Sequence, residues 1–211
     1  MEQFIQKKEI SHQLFFLEKH FDNFKKLLET DNFPKISMLT GNKGQGKYTL
    51  INHLLFGIKD VMYNNRNHQI NIKSKFYHSF YNGLDTNFIS IDSSLIKIED
   101  IRKLKINILS KKFDNEKRFI VFDDIDTINL NCANAILKII EEPLNNDYFF
   151  LINNKTKNII ETIKSRCVEF KIYMNFEDID KNIQNLLKIL QTKSLIEFDF
   201  NLLTPGLFIK F

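Results

Sequence analysis

The stretch Gly41-Asn-Lys-Gly44-Gln-Gly46-Lys47-Tyr48-Thr49 decides the fold, and the rest of the 211 residues are read outward from it. It follows a short apolar run, Ile36 to Leu39, and precedes Leu50, Ile51, Leu54, Leu55 and Ile58, which recur at helical spacing. A strand, a glycine turn, a lysine and a helix form the context of a phosphate-binding loop. Three of the chain's six glycines lie within it. Glycines let the backbone curl until several N–H groups converge on one anion, and the helix N-terminus adds partial positive charge. Lys47 is placed to reach the β- and γ-phosphates of a nucleotide. One position departs from a hydrolytic loop. The residue after the lysine should carry a hydroxyl for Mg²⁺, and here it is Tyr48. Its phenol oxygen lies too far from its own Cα to substitute. Thr49 is one residue further, which turns it by about 100° around the helix. The loop is therefore expected to bind a nucleotide better than it hydrolyses one.

Composition bounds the remaining possibilities. The length suits one domain with a small appendage, and 43% hydrophobic residues, with 21 Phe, are enough for a core. A net charge of +4 is too small to argue for nucleic-acid binding by itself. Cys132 and Cys167 lack the paired spacing of a zinc ribbon and give no disulfide framework. Met1 to Glu9 is polar and charged, so no signal peptide is read, and no apolar run is long enough to cross a membrane. A soluble cytoplasmic protein is the expectation. His12, His20, His53, His68 and His78 show no ligand spacing and are read as surface or boundary residues.

Along the chain, residues 10–29 read as a helix, stopped by Asp31-Asn-Phe-Pro34. Residues 61–84 are Asn-rich and basic, with no acidic residue. They read either as a solvated insertion or as a loop that meets DNA. A strand is expected over Asn87–Ile91 and a helix over Glu99–Leu109. Phe119-Ile-Val-Phe122 is uninterruptedly apolar, as suits a central parallel strand covered on both faces. A helix over Asn131–Glu142, a strand over Tyr148–Ile152, a short helix over Ile159–Ser165 and a strand over Val168–Ile172 follow, and the pattern turns helical again from about 175. Strands alternating with helices predict a parallel sheet with ligands at its C-terminal strand ends.

Phe122 is followed by Asp123-Asp124. A carboxylate leaving a buried strand beside a phosphate loop can hold Mg²⁺ directly or through water. Asp123 is the candidate for that role, and Asp124 for the base that polarises water, although it is one methylene shorter than the usual Glu. An acidic N-terminal cluster before a helix is the alternative. Ser165-Arg166-Cys167 precedes the last strand, and by itself reads equally as a surface arginine pairing with a carboxylate.

In order along the chain, the glycine loop, Asp123-Asp124, the helix Asn134-Ala-Ile-Leu-Lys-Ile-Ile-Glu-Glu-Pro143, the strand after it and Ser165-Arg166-Cys167 resemble the clamp-loader branch of the AAA+ ATPases. Within that branch the likeness is strongest to the delta-prime kind of subunit in bacterial DNA polymerase III. The resemblance covers nearly the whole chain. It implies a RecA-like core with a five-stranded parallel sheet over 1–173 and a partial helical lid over 174–211. It implies that Arg166 is an arginine finger acting in trans on a neighbour's nucleotide, and that Asn153 is the first sensor. It implies ATP and Mg²⁺ as possible ligands, other clamp-loader subunits (gamma/tau and delta) as partners, and the sliding clamp and primed DNA as targets of the complex.

Tyr48, Asp124 and the lack of an arginine around Thr204-Pro-Gly206, where a second sensor should lie, depart from the hydrolysing members. The four-cysteine zinc module of many members has no counterpart in residues 59–84, and the given sequence stops at Phe211, before the C-terminal collar of the family, so either it is a fragment or the protein assembles without a collar. The three weakened positions, Tyr48, Asp124 and the missing second-sensor arginine, point to a subunit that supplies a finger without turning over ATP. The alternatives are an active clamp-loader ATPase of the gamma/tau or phage small-subunit kind, another phosphoryl-transfer enzyme, and an interaction module that binds no nucleotide.

Overall fold

The structure is a computed structural model that describes residues 11–110, 116–143, 146–174, 179–181, 183–184 and 204. The expected lid helix after 175 lies mostly outside the described residues. Helix α1 (Glu18–Glu29) leads into β1 (Ile36–Thr40), α2 (Lys47–Lys59), α3 (Lys75–Tyr81), β2 (Phe88–Asp92), α4 (Ile98–Ser110) and β3 (Arg118–Asp123). A 3₁₀ turn at Ile125–Thr127 precedes α5 (Leu130–Ile140), β4 (Asp147–Asn153), α6 (Glu161–Lys164) and β5 (Val168–Lys171). The five strands form one sheet in the order β2-β3-β4-β1-β5, and every pairing is parallel.

The period of two along each strand explains why helices cover both faces. On β3, Phe119 and Val121 face the side of α1, α2 and α3, while Ile120 and Phe122 face α4, α5 and α6. On β4, Tyr148, Phe150 and Ile152 alternate with Phe149 and Leu151 in the same way. Both strands are buried along their whole length, which is why their sequences read as continuous apolar runs. Much of the phenylalanine sits in the first core, where Phe33 stacks on Phe170 at 5.6 Å and meets Phe24 edge-on at 5.2 Å. Where the strands begin, Arg118 makes a buried two-point ion pair with Asp147 (2.8 and 2.9 Å) and donates to the Ile108 carbonyl.

Three expectations need correction. The first helix begins at Glu18 and not near residue 10. Residues 12–14 instead pair with 68–70: Leu14 N–H donates to the His68 carbonyl and Ile70 N–H to that of His12. Phe16 then takes φ 61°, which no helix interior tolerates. Secondly, residues 61–84 are not simply a solvated insertion. Ser74 caps α3 by accepting from Tyr77 N–H, and Phe80 is buried on Phe56. Thirdly, His53 is fully buried, bonded to the Tyr63 hydroxyl and the Ser11 carbonyl. Burial pushes its pKa down to about 4, so the ring is neutral at pH 7.

Candidate functional site

The phosphate loop leaves the C-terminal end of β1, as the sequence implied, and enters α2 at Lys47. Gly44 and Gly46 take φ of 84° and 78°, the left-handed region in which side chains are strained. Gly41 is required for a different reason. A Cβ there would sit 2.2 Å from the Ile172 carbonyl oxygen, just past β5. The loop is therefore wedged against the sheet at its first residue and free to curl at its fourth and sixth.

Its side chains turn inward. The Lys47 ammonium donates to the carbonyls of Gly41 (2.8 Å) and Asn42 (2.7 Å) and is buried. Burial lowers its pKa to about 8, against the pull of Asp123, Asp126 and Asp124. The Gln45 side chain, also buried, accepts from Asn42 N–H (2.8 Å). Tyr48 does not face the loop's anion site. Its hydroxyl donates to Ser90 Oγ on β2 at 3.0 Å, and its ring packs on the first core. Thr49, one residue on, is half-buried on α2.

The acidic strand end is equally committed. Asp123 accepts through Oδ1 from Asp124 N–H (2.9 Å). Asp124 sits at φ 52° and pairs with Lys43 Nζ at 3.0 Å. It also accepts from the Asn154 side-chain amide. Asn153, the sensor candidate, ends β4 facing Thr40, with Nδ2 3.5 Å from Thr40 Oγ1, and accepts the Lys155 N–H on its side-chain Oδ1. Of the two asparagines at this strand end, Asn154 is the one whose side chain donates to Asp124, a choice that sequence alone could not settle. Thr204, in the region read as the second sensor, donates to the Lys43 carbonyl at 2.6 Å.

One residue was missed outright. Asp126 accepts from the N–H groups of Asn154 (3.2 Å), Thr156 (2.6 Å) and Lys157 (3.3 Å) and from the Thr156 hydroxyl. Burial pushes its pKa up, but these bonds outweigh it and hold the carboxyl below its usual value. It clips the β4–α6 loop to the end of β3. The third acid in Asp123-Asp124-Ile-Asp126 was the available signal.

Arg166 lies elsewhere, in the turn between α6 and β5, and is exposed. The turn is tied by Arg166 N–H to the Ile163 carbonyl and by Cys167 N–H to that of Lys164, over the fully buried Ile163. Burial pushes the Cys167 thiol up to about 12, and the thiol lies 3.1 Å from the Ile163 carbonyl. The arginine's Nε donates to Glu141 Oε1 at 3.0 Å, Nη2 lies 2.9 Å from the same oxygen, and Nη1 donates to the Thr162 carbonyl at 2.9 Å. The last residues of the Asn134–Pro143 motif and the Ser165–Cys167 motif therefore touch. A separate groove of about 370 Å³ between α4 and α5 is lined by Ile98, Ile101, Arg102, Lys138 and neighbours, and takes in no residue of the phosphate loop.

The loop's glycines fit an anion. The donor set does not fit a hydrolytic Mg²⁺ shell, because the hydroxyl after Lys47 is a phenol directed at Ser90. Among the described residues no cluster of His, Cys, Asp and Glu has metal-binding geometry, and no helix is long and apolar enough to cross a membrane.

Comparison with known proteins agrees with this architecture. Over 159 residues the chain is 29% identical to the DNA polymerase III subunit gamma of Buchnera aphidicola subsp. Schizaphis graminum, covering 72% of this chain and 42% of that protein. It is 31% identical over 93 residues to the subunit delta' of Buchnera aphidicola subsp. Baizongia pistaciae, covering 44% and 28%. The matched part thus spans less than half of those relatives' length. Among solved structures, a gamma-subunit-related protein of Thermotoga maritima superposes with a TM-score of 0.54 at 19% identity, over 81% of this chain and 52% of that one. The Thermotoga maritima RuvB Holliday junction branch migration motor does so with 0.50 at 14%, over 83% and 50%. These likenesses show the fold, a RecA-like AAA+ core. The profile of the family described as DNA polymerase III, delta subunit, matches residues 16–176. The chain accordingly belongs to that family of DNA polymerase III clamp-loader subunits.

Proposed function

We propose that this chain is a delta-prime-like clamp-loader subunit whose contribution to ATP turnover is Arg166, presented to the nucleotide of an adjacent motor subunit of the gamma/tau kind. In the assembled loader it would join delta and gamma/tau in opening the sliding clamp and placing it on primed DNA. The observation that carries this reading is the contrast in commitment. Lys47, the buried cation of the loop, is held by the carbonyls of Gly41 and Asn42, and Tyr48 points at Ser90. Arg166 is exposed in the hydrogen-bonded turn between α6 and β5, where Glu141 and Thr162 hold one side of its guanidinium. A guanidinium delivered to a transferring phosphoryl group neutralises the charge spread over its oxygens and is worth on the order of 10³–10⁵ in rate.

The test is ATP turnover by the cognate motor subunit with delta-type subunit, clamp and primed DNA present, comparing this chain with its Arg166→Ala variant. Arg166-dependent stimulation, with no turnover by this chain alone, is the expected result. Stimulation that survives Arg166→Ala would remove the finger role. One observation favours a second reading, an active ATPase: Lys47, Asp123 and Asn153 still converge at one end of β1, β3 and β4. That reading requires turnover by the chain alone that disappears in Lys47→Ala.

A further inference from the structure

We infer that Glu141 is a positioning residue for Arg166: it aims the guanidinium outward, and the finger works through that ion pair. The inference rests on the finger role proposed above and extends it to a residue on a different element.

The geometry of the guanidinium carries the argument. Arginine has five N–H donors in a rigid planar fork. Nε donates to Glu141 Oε1, Nη2 lies against the same oxygen, and Nη1 donates to the Thr162 carbonyl. These contacts take one donor from each nitrogen. One N–H is left on each of Nη1 and Nη2, the two nitrogens at the end of the fork that can face phosphate oxygens. Glu141 thus holds the flank of the fork and leaves its end for an acceptor outside the chain.

The location of Glu141 supports a task beyond local stability. It is the C-cap of α5 and is followed by Glu142. An acid at a helix C-terminus opposes the helix dipole. The pair itself is half in solvent, with side-chain exposures of 39% and 45%, and such pairs add little stability. What the contact does supply is restraint. A free arginine side chain has rotamer entropy to lose when it is immobilised. Glu141 and Thr162 hold it in one orientation before any partner arrives.

The experiment measures motor-subunit turnover in the complete mixture with wild type, Glu141→Gln, Glu141→Asp and Arg166→Ala. Misaiming a reacting group costs on the order of 10- to 100-fold, so Glu141→Gln is expected to lower the motor's kcat by about tenfold. KM for ATP, the amount of complex formed and the thermal midpoint of this chain should not move. Glu141→Asp, which keeps the charge, should recover part of the loss. If Glu141→Gln matches wild type, or exceeds it, while Arg166→Ala is inactive, Glu141 does not aim the finger and the inference falls alone. If Arg166→Ala itself retains full stimulation, the finger role falls and the inference goes with it.

Discussion

Two regions of this molecule carry motifs of one functional set, and they are built in opposite ways. At the C-terminal end of β1, buried and half-buried polar groups are closed onto the chain: Lys47 on its own loop, Gln45 on Asn42, Tyr48 on Ser90. At the α6–β5 turn the backbone is fixed but the side chain is turned outward, and one residue of a different helix steadies it. The first region spends its polar capacity on being a stable part of the fold. The second leaves part of it exposed to solvent. A motif's presence in sequence therefore does not by itself say in which direction its side chains work.

Four measurements break or sharpen that contrast. The largest effect belongs to the open region. Arg166→Ala should reduce stimulation of the motor subunit by on the order of 10³, while leaving urea stability within about 1 kcal/mol because the ion pair is exposed. A large loss of stability would make the arginine structural.

The second concerns Lys47 and pH. Its folded pKa is lowered to about 8 from 10.5 by burial. Below pH 8 both folded and unfolded chains hold the proton, and stability is independent of pH at this group. Above pH 8 the folded chain releases it while the unfolded chain keeps it, so stability rises with pH. Between pH 8 and 9.5 the gain should be on the order of 2 kcal/mol, read as the difference between wild type and Lys47→Met. Parallel curves for the two proteins would mean that the ammonium is not held as described.

Third, Gly41→Ala places a Cβ 2.2 Å from the Ile172 carbonyl oxygen. Overpacking of this kind costs about 1–3 kcal/mol, and guanidinium unfolding would report it. An unchanged midpoint would show the loop to be loosely seated. The smallest effect is Tyr48→Phe, which removes one hydrogen bond to Ser90 and should cost about 0.5–1.5 kcal/mol. If instead it confers ATP turnover on the chain, the closed region is closed by Tyr48 alone.

The sheet, its strand assignments and the loop were legible because each rests on a local signal. Apolar runs such as Phe119–Phe122 report two-sided burial, and three glycines in six residues report a turn. What was not legible depends on contacts between distant residues. The first helix starts late because residues 12–14 pair with 68–70, a bond set that no periodicity in 10–29 records. His53 reads as an ordinary helix residue until Ser11 and Tyr63 are brought to its two nitrogens. At the site, Lys47 and Asp123 were singled out from the glycine loop and the strand end, and Arg166 from the family resemblance. Asn154 and Asp126 were not, because their roles follow from which way a strand end and a loop turn in space.

Asp126 has a consequence for hydrogen exchange. Loop amides ordinarily exchange with solvent freely, yet those of Asn154, Thr156 and Lys157 all point at one carboxylate. This connection should show the slow isotope uptake of regular secondary structure, and Asp126→Asn should release the three amides as a group. The link from the end of β3 to the helix that precedes Arg166 would then behave as one stiff piece, held by a single side chain and without any ladder of backbone bonds.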